Sequence, residues 1–376
     1  MGLDTGALPD FPWDSLAPFA ATARDHPGGI VDLSVGTPVD PTPDLVREAL
    51  VAGADSPGYP TTHGTAQLRE AIVAWFERTR GVGGLDPEAV LPTVGSKELV
   101  ATLPSWLGLG PGDAVVFPHV AYPTYDVGAV LAGAQAVPAD DGGLAALRER
   151  RDVRLVWLNS PSNPDGRVLS VERLAEIVAA AREVGALVVS DECYAELPWA
   201  QQWVEEGVPS VLDPRVTGGD PSGVLAVYSL SKRSNLAGYR AAFVAGDPAV
   251  VRGLLQARKH AGLMVPGPVQ AAMTVALGDD AHVAEQRERY AVRRELLAEA
   301  FEGAGYVLEG SEAGLYLWLR PEGDQDALRT VADLAELGIL VAPGSFYSRG
   351  PSQYVRVALT AHDVRVREAA HRLLGA

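Results

Sequence analysis

Short apolar runs alternate with stretches of helical period through the middle of the chain. Ala114 to Phe117, Arg154 to Leu158, Ala186 to Val189 and Val224 to Tyr228 each read as a strand, and Arg240 to Ala245 is a further apolar run. The runs are brief, unalternating and rich in β-branched residues, as strands buried on both faces are. Between them, Tyr125 to Ala132 and Val171 to Val184 read as helices. The second carries Leu174, Ile177 and Val178 on one face and has Ser170 placed as an N-cap. This alternation predicts an α/β fold, a mostly parallel central sheet sandwiched by helices.

The pattern changes after Asp247. Helical stretches fill Pro248 through Glu302. Apolar runs at Tyr306 to Leu308, Leu315 to Leu319, Ile339 to Val341 and Tyr354 to Ala358 then mix with helices at Ala327 to Leu337 and Asp363 to Leu374. We expect a smaller α+β domain here. The division predicted is an N-terminal arm with part of the small domain (1–45), a large domain (46–262) and a C-terminal small domain (263–376). The Pro- and Gly-rich stretch Pro38 to Gly64 reads as a bridge into the large domain.

Composition narrows the function. The 376 residues carry a formal net charge of -17, which disfavours nucleic acid or an anionic membrane as partner. One cysteine, Cys193, leaves no disulfide framework and no Cys-based zinc site, and we expect no metal. No segment reaches the roughly 18 apolar residues of a spanning helix. Met1 to Trp13, with Asp4 and Asp10 and no Lys or Arg, does not read as a secretory signal. A cytoplasmic protein is expected. Only three of the 31 basic residues are lysines, Lys97, Lys232 and Lys259, so an amine-dependent chemistry has three candidates.

Four candidate sites follow four successive predicted strands, where open α/β sheets bind ligands. After Val224 to Tyr228 come Ser229, Ser231, Lys232 and Arg240. A lysine amine suits a Schiff base, and hydroxyls with a guanidinium suit a phosphate; a solvated polar loop is the plainer reading. After Ala186 to Val189 come Asp191 and Tyr194. They suit a protonated ring nitrogen and a ring oxygen, or simply a helix N-cap. After Arg154 to Leu158 comes the turn-forming run Asn159 to Gly166, where a cis Asn163–Pro164 bond could aim the Asn163 amide inward. After Ala114 to Phe117 comes Tyr122, a ring for stacking or for the core. Gly95, Ser96, Lys97 and Glu98 open a helix to about Leu107, whose free amides offer an anion cradle. Arg356, inside the run Tyr354 to Ala358, needs a partner: a substrate carboxylate or an internal ion pair. Together these groups make an inventory for one phosphorylated aromatic aldehyde.

The order Gly-Ser-Lys-Glu, Tyr-Pro, Asn-Pro-x-Gly, Asp-x-x-Tyr, Ser-x-Ser-Lys and Gly-x-Arg resembles the class I/II aminotransferases of pyridoxal-phosphate fold type I, over essentially the whole chain. The resemblance implies pyridoxal 5'-phosphate carried by Lys232. It places Asp191 on the ring nitrogen, Tyr194 and Asn163 on the ring oxygen, and Tyr122 stacked on the ring. It places Gly95, Ser96, Lys97, Ser229 and Arg240 around the phosphate, and Gly36, Asn163 and Arg356 around the substrate carboxylate. Tyr59, in Gly58-Tyr59-Pro60, would reach the neighbouring active site of a homodimer. One departure is visible: Ala242 stands where the family usually has glycine.

Within the family, Phe11 to Asp14, Val31 to Asp40 and Ser231 to Arg240 resemble the succinyldiaminopimelate transaminases. That implies ping-pong transfer, through pyridoxamine phosphate, between N-succinyl-L,L-2,6-diaminopimelate and 2-oxoglutarate in lysine biosynthesis. Lys97 and the loop Ser345 to Arg349 are candidates for a distal carboxylate. The alternatives are transaminases for aspartate, LL-diaminopimelate or aromatic substrates, and a carbon–sulfur β-lyase of the same fold. A cofactor-sensing DNA-binding regulator is disfavoured by the charge. A dinucleotide oxidoreductase is disfavoured because no Gly-x-Gly-x-x-Gly follows a strand.

Overall fold

The structure is a computed structural model that describes residues 8–140, 146–350 and 352–375. The first seven residues of the expected N-terminal arm, Asp4 among them, lie outside the described residues. The strands are β1 (Val31–Asp32), β2 (Val90–Val94), β3 (Ala114–Pro118), β4 (Gln135–Ala139), β5 (Val153–Asn159), β6 (Leu187–Asp191), β7 (Val224–Ser229), β8 (Ala241–Gly246), β9 (Tyr306–Leu308), β10 (Tyr316–Pro321), β11 (Ile339–Leu340), β12 (Ala342–Pro343) and β13 (Val355–Ala358).

Seven of them form the central sheet, in the order β2-β8-β7-β6-β5-β3-β4. The pairings from β7 to β4 are parallel. β8 runs antiparallel to both β2 and β7, so the sheet is mostly rather than wholly parallel. Both faces are covered, which explains the unalternating apolar runs. Val224, Ala226 and Tyr228 of β7 enter one hydrophobic core, while Leu225 and Val227 enter another. Helices Ala66–Arg80 and Gly267–Gly278 pack in the first core, and Ser96–Trp106, Thr124–Ala132 and Pro248–Ala261 in the second. Helix Val171–Val184 starts at Ser170, whose hydroxyl accepts the Arg173 amide at 3.3 Å.

The second sheet has the order β12-β13-β10-β9, all antiparallel. β1 pairs with β11, which ties the N-terminal segment to the C-terminal part of the chain. A third core forms there, from Leu16, Val31 and Leu33 with Leu317, Val331, Val357 and Val366. β2 and β4 escape the sequence reading for a common reason. Each contains a proline, Pro92 or Pro138, and β4 is a part-exposed edge strand. Ala242 is fully buried in β8 opposite Thr93 and Ser229, so its methyl is accommodated.

Candidate active site

The parallel strands deliver their C-terminal residues to one rim. Asn159 ends β5 and Asp191 ends β6. The Asn159 amide donates to the Asp191 carbonyl at 2.9 Å and to the Pro161 carbonyl at 3.0 Å, and its oxygen accepts the Asn163 amide N–H at 2.7 Å. One buried side chain thus fixes the loop that carries Asn163 against the strand that carries Asp191. The cis bond of this loop is Ser160–Pro161; Asn163–Pro164 is trans.

The Asp191 carboxylate is buried. It accepts the Cys193 amide at 3.2 Å and the Tyr125 hydroxyl at 3.2 Å. Burial pushes its carboxyl above the usual range, and those donors only partly offset this. Tyr125 was not singled out by sequence; it reads as one more apolar helix position. Its ring stacks on Trp157 at 5.2 Å, which aims its hydroxyl at the carboxylate.

Ser229 ends β7 and caps the one-turn helix Leu230–Arg233. Its hydroxyl accepts the Ser231 amide at 3.1 Å and bonds the Ser231 hydroxyl at 2.8 Å. The next residue, Lys232, extends its amine to the Gly36 carbonyl. Burial lowers the lysine below its ordinary value, assisted by the Arg356 and Arg240 charges and opposed by Tyr316 and Cys193. A lysine so lowered gives up its proton more readily, as nucleophilic lysine chemistry requires. Gly36 is needed here: a Cβ would stand 2.2 Å from the Tyr316 hydroxyl. The Tyr316 hydroxyl is in turn 3.2 Å from the Tyr194 hydroxyl.

Gly95 caps the helix Ser96–Trp106 with φ 81°. A Cβ there would stand 2.1 Å from an Arg240 Nη, so the glycine admits the guanidinium to the helix N-terminus. Arg240 itself has φ 54° and donates to the Ala237 carbonyl at 2.9 Å. Amide groups, a guanidinium and the Ser229 and Ser231 hydroxyls therefore meet at one end of the site, the donor set of a phosphate cradle. Tyr122 lies edge-on to Tyr125 at 5.9 Å, and burial pushes its phenol up to about 12. The Lys97 amine sits 5.4 Å from the Phe11 ring centre and 5.9 Å from that of Tyr122, so its side chain faces aromatic rings while its backbone opens the helix. Tyr59 is 95% exposed and stands outside this cluster.

At the other end lies Arg356, in β13, opposite Trp318 of β10 and Ala342 of β12. It is 2% exposed. Its guanidinium donates to the Asn163 side-chain oxygen at 2.9 Å and the Ser34 carbonyl at 2.7 Å, while its Nε has no partner. Asn163 is thus engaged on the carboxylate side of the site. Aromatic rings enclose the cation: Tyr316 at 3.9 Å, Tyr347 at 4.9 Å and Trp13 at 5.9 Å. The Tyr347 hydroxyl and the Trp13 indole N–H are also buried without partners. Among the described residues no carboxylate pairs with Arg356, so the internal ion pair weighed from the sequence is absent. Arg349, weighed as a distal subsite, bonds Asp126 at 3.0 Å instead.

These residues fit pyridoxal phosphate. Among the described residues no cation meets the buried Asp191 carboxylate, which suits it to a protonated ring nitrogen. A glycine-lined cradle awaits an anion. A desolvated amine lies within electrostatic reach of the cradle's Arg240 and of Arg356.

Comparison with known proteins agrees. The family described as aminotransferase class I and II matches residues 29–373. The chain is 56% identical to 4-dedimethylamino-4-oxo-anhydrotetracycline transaminase OxyQ of Streptomyces rimosus, covering 97% of this chain and 99% of that one. It is also 56% identical to a probable aminotransferase of Mycobacterium tuberculosis, over 98% of this chain and 86% of that one. A solved structure of a probable N-succinyldiaminopimelate aminotransferase from Thermus thermophilus superposes with a TM-score of 0.85 at 29% identity, covering 97% and 100% of the two chains. The relatives at 56% carry other names, so closeness to the succinyldiaminopimelate enzymes in particular does not follow. The chain is an aminotransferase and belongs to the pyridoxal-phosphate-dependent class I and II family.

Proposed function

We propose that the protein moves an amino group between N-succinyl-L,L-2,6-diaminopimelate and 2-oxoglutarate, in two half-reactions at this site. The observation that carries the reading is Arg356, a buried guanidinium with a free Nε and, among the described residues, no carboxylate, joined to the Lys232 amine through Tyr316 and Gly36. An α-carboxylate placed there would complete its hydrogen bonds and bring Cα to the lysine. Both substrates present that group and a second carboxylate far from it.

Bound at this site, pyridoxal phosphate supplies an aldehyde carbon that takes the amino group and a ring that accepts the electron pair left at Cα. The chain's own residues then have these roles. Asp191 holds the proton on the ring nitrogen by its charge. Tyr194 and Asn163 face the ring oxygen, and Tyr122 covers one face of the ring. Gly95, Ser96, Lys97, Ser229 and Arg240 hold the phosphate, the residues at the helix start through backbone amides. Lys232 would take the Cα proton on its amine and deliver it two bonds away, to the carbon across the transferred nitrogen. Gly36, Asn163 and Arg356 orient the carboxylate. We further propose a homodimer: the fully extended exposure of Tyr59 suits a side chain that reaches a second copy's phosphate site.

A flat aromatic ketone is the second reading. The aromatic collar of Trp13, Tyr347 and Trp318 and the identity to a transaminase named for an anhydrotetracycline favour it. A half-reaction screen decides. The holoenzyme is mixed with N-succinyl-L,L-diaminopimelate, LL-diaminopimelate, glutamate, aspartate and aromatic amino acids, and the loss of the visible band is timed. The succinylated donor should react fastest. A rate for it no better than for aspartate would overturn the substrate assignment, and pyruvate release from cystathionine would point to a β-lyase.

A further inference from the structure

Tyr316 occupies a place that none of the expected roles covers. Its ring lies under the Arg356 guanidinium at 3.9 Å, its hydroxyl is 3.2 Å from that of Tyr194, and the space for that hydroxyl exists only because residue 36 has no Cβ. The carbonyl of that same glycine accepts the Lys232 amine. We infer that Tyr316 is a positioning residue, whose hydroxyl donates to the Tyr194 oxygen and so fixes and strengthens the hydrogen bond that Tyr194 gives to the cofactor's ring oxygen. The inference rests on the proposed role of Tyr194.

Groups from several elements surround the pair. Arg356 comes from β13, Lys232 from the turn after β7, and Tyr194 and Cys193 from the segment after β6. Tyr347, Tyr122 and Tyr290 face the same phenol from further elements. Burial works to raise the Tyr316 phenol, but the surrounding positive charge, that of Arg356 over its ring first, holds it below its ordinary value. Tyr194 is pushed well up, with burial the largest cause. Tyr194 has one hydroxyl proton, and given to the ring oxygen it leaves only a lone pair for Tyr316 3.2 Å away, so Tyr316 is the donor of the pair. A donor chain ending on the ring oxygen stabilises negative charge there. That weakens the oxygen's hold on the proton of the Lys232 nitrogen and lowers the pH at which this proton leaves.

The test is the pH titration of the holoenzyme's visible band. Tyr316→Phe removes the hydroxyl and keeps the ring under Arg356, so the midpoint should rise by roughly half a pH unit. Gly36→Ala, which displaces the same hydroxyl from the other side, should move the midpoint the same way. Tyr194→Phe should move it further, and adding Tyr316→Phe to Tyr194→Phe should then add nothing, since one residue acts through the other. An unmoved or lowered midpoint in Tyr316→Phe, or an equal shift on the Tyr194→Phe background, overturns the inference while leaving the cofactor site intact. A wild-type protein that takes up pyridoxal phosphate without a titrating visible band overturns the site reading itself, and the inference with it.

Discussion

Asp191 and Glu192 are neighbours in sequence and both buried, yet they live in opposite electrostatic worlds. Glu192 faces away from the rim. It meets Arg80 at 3.1 Å, the Val211 amide at 2.7 Å and the Ser210 hydroxyl at 3.2 Å, so both of its oxygens have a protein partner. Asp191 faces the rim with two neutral donors and, among the described residues, no cation. The arginines divide in the same way. Arg80 meets the Glu192 carboxylate and the Pro209 carbonyl, with only its Nε unpartnered, whereas Arg356 ends on an amide, a carbonyl and aromatic faces and, among the described residues, no carboxylate. Buried charges that are paired hold a fold together; buried charges left unpaired are stabilised only when something binds. The closed pair is structure, and the open ones mark a site.

The largest effect expected on the open side comes from Lys232→Ala. It should reduce transamination to background and remove the covalent visible band, while Lys97→Ala and Lys259→Ala keep that band. A reduced-peptide map with the pyridoxyl group on either other lysine would break the assignment.

The neighbours themselves can be set against each other with isosteric changes. Asp191→Asn should lower kcat by roughly a thousandfold and leave the melting temperature of the cofactor-free protein unchanged or raised. Glu192→Gln should cost about 3 kcal/mol of stability, because it strands Arg80, and leave kcat near wild type. If the two variants behaved alike in thermal melts, the contrast drawn here would be wrong.

A smaller effect is expected at Arg356. Replacing it with lysine removes the planar fork but keeps the charge, so KM for the carboxylate substrates should rise about ten- to a hundredfold, with a lesser change in kcat. An unchanged KM would place the carboxylate elsewhere.

The smallest signal is a pH slope. Burial raises the Asp191 pKa in the folded, cofactor-free protein. From about pH 4 upward the unfolded chain has released a proton that the native chain still holds there. Stability must then fall as pH rises through that window, until the folded group ionises as well. The melting temperature of wild type relative to Asp191→Asn should decline over this range, and a flat difference across it would contradict the open-carboxylate description.

Much of this site was legible because its parts follow strands. Asp191, Lys232, Asn163 and Tyr122 could be placed from short apolar runs and the residues just after them. The rarity of lysine sharpened the choice further. Tyr125, Tyr316, Tyr347 and Trp13 left no such mark. Each reads as an ordinary apolar position, and what distinguishes it is the group at the far end of its ring. The prolines of β2 and β4 hid two strands, and nothing local announced that β8 would run antiparallel.

By itself, then, the sequence determined the α/β alternation, the family and the groups collected at the carboxyl ends of the parallel strands. These depend on periods of a few residues and on motifs with fixed spacing. Tertiary structure alone decided which charges are closed and which are open. The Lys232 amine meets a carbonyl 196 positions away, and Arg356 meets one 322 positions away. Contacts across such separations arise only when segments distant in the chain pack together, here the segment after β1 against the turn after β7 and against β13, so the burial of a charge and the absence of its partner are properties of the assembled fold.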